Sequence, residues 1–99
     1  MDTETQELIA SAADAKVRMQ AVKQRNRASV RHKYEGMARR EIADLNAGAE
    51  AEFAGMIAKL HDAGVPQGVI RKEVLRTNTW GVWVYWRDLA GIPPARGGK

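Results

Sequence analysis

Apolar residues recur at helical spacing along most of this chain. Leu8, Ala12, Ala15, Met19 and Val22 follow one another at steps of four and three. That is the stripe of a helix that packs one face against a neighbour. Continued in the same register, the stripe meets Asn26, Ser29, Lys33 and Gly36 and turns polar. A second stripe in a shifted register takes over at Val30, Tyr34, Met37, Glu41 and Leu45, with Ala38 and Ile42 beside it. Residues 4–46 hold no proline and a single glycine, Gly36, and are rich in strong helix formers. The pattern predicts one long N-terminal helix, or two helices split near Gly36, because glycine costs about 1 kcal/mol inside a helix. Thr3 or Thr5 is the expected N-cap, with Glu4 or Glu7 near the positive end of the helix dipole.

Asn46-Ala47-Gly48 is the expected boundary, since Asn and Gly commonly stop helices. The next helix is expected over 49–63, with Phe53, Met56, Ile57 and Leu60 on one face. Gly64 should end it in a left-handed cap, and Pro66 should sit in the first turn of the following helix. That helix carries Val69, Ile70, Val74 and Leu75. A polar break, Arg76-Thr77-Asn78-Thr79, precedes a last helix. There, Val82, Trp83, Trp86 and Leu89 are expected to face inward and Trp80, Val84 and Arg87 outward. Residues 80–86 are also rich in β-formers, so a strand is the alternative, although nothing else in the chain offers a strand to pair with it. The expected organisation is all-α. Residues 1–47 form a long basic helix for dimerisation or DNA contact, 48–90 a three-helix unit, and 91–99 a disordered tail.

Charge sharpens this picture. The chain of 99 residues carries a formal net charge of +4, unevenly spread. Residues 1–15 hold four acids and no base, and residues 16–40 hold nine bases and one acid. Residues 41–62 are acidic again, and residues 63–99 hold six bases against two acids. Two separate basic surfaces and an anionic partner are the natural reading. The absence of cysteine excludes disulfides and thiolate metal sites and fits a cytoplasmic protein. No apolar run is long enough to span a bilayer.

The run Ala58-Lys59-Leu60-His61-Asp62-Ala63-Gly64-Val65-Pro66-Gln67-Gly68-Val69-Ile70, then a basic helix, a polar turn and an aromatic-rich helix, resembles the trihelical helix-turn-helix unit of resolvase- and invertase-like proteins and many phage regulators. The resemblance covers about a third of the chain. Arg71 stands where such units usually place a small residue, and the Leu75-Arg76-Thr77 turn lacks a glycine, so the break is expected to be one residue longer. The resemblance implies binding of double-stranded DNA, with a homodimer matching a two-fold site. In such a unit the start of the last helix meets base edges, which points to Thr77, Asn78, Thr79 and Trp80, with Arg87 facing outward further along that helix. Arg71, Lys72 and Arg76 are the phosphate candidates there, and Arg25, Arg27 and Arg31 those of the basic N-terminal helix.

The expected function is a small transcriptional or recombination regulator. The alternative is a helical interaction module, or a phage assembly adaptor, that binds a partner protein through its aromatic C-terminal helix. No residue pattern suggests catalysis, a small-molecule substrate, a cofactor or a bound metal. There is no glycine-rich phosphate loop, and His32 and His61 stand far apart in sequence.

Overall fold

The computed structural model describes residues 2–30 and 35–94, and the backbone alone for residues 35–37. All regular structure among the described residues is helical, and residues 80–86 are helix, which settles the strand alternative. The elements are α1 (Thr3–Ser29), α2 (Glu35–Asp62), α3 (Gln67–Val69), a π-helical segment (Ile70–Leu75) that continues α3, and α4 (Trp80–Ala90). No described helix is long and apolar enough to cross a membrane.

Helix α1 is capped one residue earlier than expected. The Asp2 carboxylate, rather than Thr3 or Thr5, accepts the Thr5 N–H at 2.8 Å. Its side chain is short enough to reach back from the extended Asp2 backbone. Ala12, Ala15 and Met19 are buried as the first stripe requires, and Leu8 packs against them. The helix ends at Ser29, with the Val30 N–H bonded to the Arg27 carbonyl and Val30 itself buried. The split therefore falls before Gly36, which lies within the first turn of α2. The second stripe is not the inward face of α2, for Leu45 is 47% exposed. Tyr34 lies outside the described residues, as does the side chain of Met37.

Helices α1 and α2 run antiparallel, as two side-chain bridges show. Lys23 Nζ meets Glu50 Oε2 at 2.8 Å, and Asn26 Nδ2 donates to Asn46 Oδ1 at 2.8 Å. The second bridge explains why the expected stop at Asn46-Ala47-Gly48 does not occur. Asn46 is buried, and its side-chain oxygen is taken up by Asn26 of the neighbouring helix. The packing of α2 on α1 outweighs the glycine cost at Gly48. Helix α2 continues into Phe53, Ala54, Ile57 and Leu60, which share one buried cluster with α1, the π segment and α4. The division at 47/48 is thus the middle of a helix, and one core spans both sides of it.

Local signals at the remaining breaks are obeyed. Gly64 takes φ 87°. The Gly64 N–H bonds to the His61 carbonyl and the Val65 N–H to the Leu60 carbonyl, the paired bonds of a Schellman cap. Gly91, at φ 77°, repeats the motif with bonds to Asp88 and Arg87. Its hydrophobic half is Ile92, which is buried, so the expected disordered tail does not start at residue 91, and residues 95–99 lie outside the described residues. Pro66 stands one residue ahead of α3, where its carbonyl receives the N–H groups of Val69 and Ile70.

On α4, Trp83 and Trp86 are buried, with Trp86 edge-on to Phe53 at 4.9 Å between ring centroids. Val82 and Leu89, expected inward, are 37% and 47% exposed. Arg87, expected outward, keeps only 15% of its side chain exposed. The helix is rotated so that residues 83, 86, 87 and 90 meet the body of the protein. Arg87 lies four residues beyond Trp83 and so falls on the same face.

Candidate nucleic-acid interface

The polar turn between the π segment and α4 is shaped by one strained residue. Arg76 adopts φ 53°, ψ 50°, the left-handed conformation usually left to glycine. It closes the π segment. Its own N–H bonds to the Arg71 carbonyl, five residues back, and the Thr77 N–H reaches the same carbonyl at 3.2 Å. The wide π turn accommodates this closure without a glycine. The break runs from Arg76 to Thr79. Thr77 Oγ1 accepts the Thr79 N–H at 3.0 Å and ties the turn across itself. Thr79 occupies the N-cap position of α4 through its extended backbone, with no side-chain cap bond. Lys72, Arg76, Thr77 and Asn78 converge around a shallow hollow of about 160 Å³.

A second basic segment joins this hollow from a distance in sequence. Lys16 of α1 donates to the Leu75 carbonyl at 2.7 Å. Burial, and then the nearby Arg76 charge, lower the Lys16 pKa. Ala13, Asp14, Lys16, Val17, Gln20, Val74 and Arg76 line the adjoining depression, and Gln20, Lys23, Gln24 and Arg27 line the next one along α1. Arg76 belongs to both the hollow and the first depression, and Gln20 to both depressions. The cations Arg27, Lys23, Lys16, Arg76 and Lys72 therefore border one continuous strip. Its α1 part spans about 16 Å, from the rise per residue of a helix. Asp14 is ion-paired to Arg18.

The remaining candidates take different places. Arg71 is partly buried, with its guanidinium over the Trp80 ring at 5.1 Å from the centroid and its Nε unbonded. This stacking braces the start of α4 against the π segment. Trp80 itself is 51% exposed. Arg25 is exposed but, two residues from Arg27, points about 160° away around the helix. Arg31 lies outside the described residues. After Trp80 and Gly81, the exposed face of α4 consists of Val82, Tyr85 and Leu89 with Asp88. These side chains are poorly suited to reading the donor and acceptor pattern of bases.

Sequence reasoning missed Gln20 and Gln24 and did not place Lys16 or Lys23 in the site. The available signal was the spacing of Gln20, Gln24 and Arg27, a polar face at i, i+4 and i+7 beside the buried stripe.

Glu50 of α2 links α1 to α4. It accepts from Lys23 and, at 2.6 Å, from the Tyr85 hydroxyl. Burial pushes its carboxyl pKa up, but the hydrogen bonds from Lys23 and Tyr85 and the Lys23 charge outweigh this and hold it below its ordinary value. The same bond, with some burial, raises the Tyr85 hydroxyl. Glu50 thereby fixes α1 and α4 on α2 and sets the α1 strip relative to the turn. No protein family, no characterised protein and no solved structure matches this chain.

Proposed function

We propose that this protein binds double-stranded DNA, with the strip from Arg27 to Lys72 lying along a phosphate backbone and the turn at Thr77-Asn78 entering a groove. The observation that carries the reading is the convergence of α1 cations and the polar turn on one face, through Arg76 and Gln20. Phosphate contacts supply most of the affinity of such proteins, and base contacts their specificity. Asn78 is the exposed side chain in this turn best equipped to pair with adenine. A regulatory role on a two-fold site, served by a homodimer, is the corresponding biological proposal.

The testing experiment is a fluorescence-polarisation titration with duplexes at several salt concentrations. Engagement of the exposed Arg27, Lys72 and Arg76 by three phosphates gives a log–log salt slope of about −3. No measurable affinity at low salt for any duplex overturns the proposal.

A second reading is favoured by the exposed apolar side chains of α4. Trp80, Val82, Tyr85 and Leu89 are between 37% and 51% exposed, as expected of a surface that docks a partner protein. Salt-insensitive binding of a partner, lost on Leu89→Asp, is the result that selects it.

A further inference from the structure

The strip ends in a groove that the DNA reading does not use. Between the first half of α1 and α3 lies an open cleft of about 670 Å³, lined by Ile9, Ala10, Ala13, Pro66, Gly68 and Val69. Its volume falls within the range of small-molecule sites, and its floor is apolar as theirs are. Its polar border is asymmetric in charge, with Lys72 and Arg76 set against the single carboxylate Glu73. The α1 wall runs from Gln6 to Ala13, about 10 Å at the rise of a helix. That is too short to seat more than two turns of a partner helix. It matches a straight alkyl chain of about eight to ten carbons, whose burial gains about 0.8 kcal/mol per methylene.

We infer that this groove is a binding site for a small anionic amphiphile, a medium-chain carboxylate, with its chain on Ile9, Ala10, Ala13 and Val69 and its headgroup between Arg76 and Lys72. Arg is suited to the headgroup because its planar fork matches a carboxylate. Arg76 also lines the strip and the hollow, so the carboxylate and a DNA phosphate compete for it. That consequence rests on the DNA reading; the site itself does not.

The test is isothermal titration calorimetry of the full chain with decanoate and decylammonium, below their micelle concentrations and without DNA. Decanoate binds and decylammonium does not. Arg76→Gln weakens decanoate roughly tenfold, the scale of one charge-assisted hydrogen bond. Ala10→Glu, an exposed helical change that leaves the core untouched, also abolishes binding, while Glu73→Gln tightens it severalfold. Equal binding of decylammonium, no decanoate binding to the wild type, or indifference to both Arg76→Gln and Ala10→Glu overturns the inference. Because no DNA is present, these outcomes are separate from success or failure of the duplex titration.

Discussion

Lys16 Nζ lies 2.7 Å from the carbonyl oxygen of Leu75, a residue 59 positions away in sequence. The bond places the basic half of α1 beside the end of the π segment, where the carbonyl dipoles favour a cation. Lys16→Met retains the apolar stem but removes the donor. It is expected to cost about 1 kcal/mol in urea denaturation, the net value of a partly exposed hydrogen bond. Lys16 carries a pKa below its ordinary 10.5 in the folded protein, so protonation costs the fold. The contribution of this group therefore rises with pH between its folded value and 10.5, and Lys16→Met removes that rise. A mutant as stable as the wild type at neutral pH counts against the bond.

The burial pattern on α4 predicts a sharp contrast between neighbours. Trp83→Ala and Leu60→Ala, at residues 1% and 0% exposed, should each cost about 2–5 kcal/mol. Val82→Ala and Leu89→Ala should cost about 1 kcal/mol or less, because both side chains remain substantially in water. Equal losses at Val82 and Trp83, measured by chemical denaturation, contradict the rotation of the helix described above.

Glu50 makes stability depend on pH in a defined direction. Its folded pKa lies below the ordinary 4.5, so its contribution is fully present above that value and is lost as pH falls through the folded one. Tyr85 is shifted upward from 10.0, so its contribution is present below pH 10.0 and is lost as pH rises through the folded value. Melting curves across pH should show the acid loss reduced in Glu50→Gln and the alkaline loss reduced in Tyr85→Phe. Profiles parallel to the wild type in both mutants speak against the bridge.

Arg76 separates stability from binding. A non-glycine residue in the left-handed region is strained by about 1 kcal/mol or more. Arg76→Gly should therefore raise the melting temperature while weakening every duplex and flattening the salt slope by about one unit. Asn78→Ala, by contrast, should change preference among sequences by about 1–3 kcal/mol and leave the slope unchanged. Loss of stability in Arg76→Gly refutes the strain argument, and a uniform effect of Asn78→Ala refutes its base contact.

The single core predicts the fate of a truncation. A fragment of residues 48–99 lacks Ala12, Ala15 and Met19 and begins inside α2. It should show no cooperative thermal transition and reduced helical circular dichroism. Cooperative melting of this fragment restores the independent C-terminal unit that the sequence suggested.

Much of the helical content was legible because its signals are local. A stripe such as Leu8-Ala12-Ala15-Met19 states the helical period directly, and Gly64 states a left-handed cap, whatever surrounds them. The segment rich in β-formers is α4, as its helical spacing implied, because α2 offers it a face for Trp83 and Trp86 and no strand exists among the described residues to pair with it. What sequence could not supply were relations between distant residues. Asn46 reads as a helix stop until Asn26 lies beside it and takes up its side chain. Val82 and Leu89 flank Trp83 and Trp86 on one side of α4, and Arg87 flanks them on the other. The period allows either flank to turn inward with the tryptophans, and only the position of α2 chooses. The charge pattern implied two basic surfaces because α1 and the turn are far apart along the chain. Packing of α1 on the π segment makes them one, since the bond of Lys16 to Leu75 joins groups that no local rule relates.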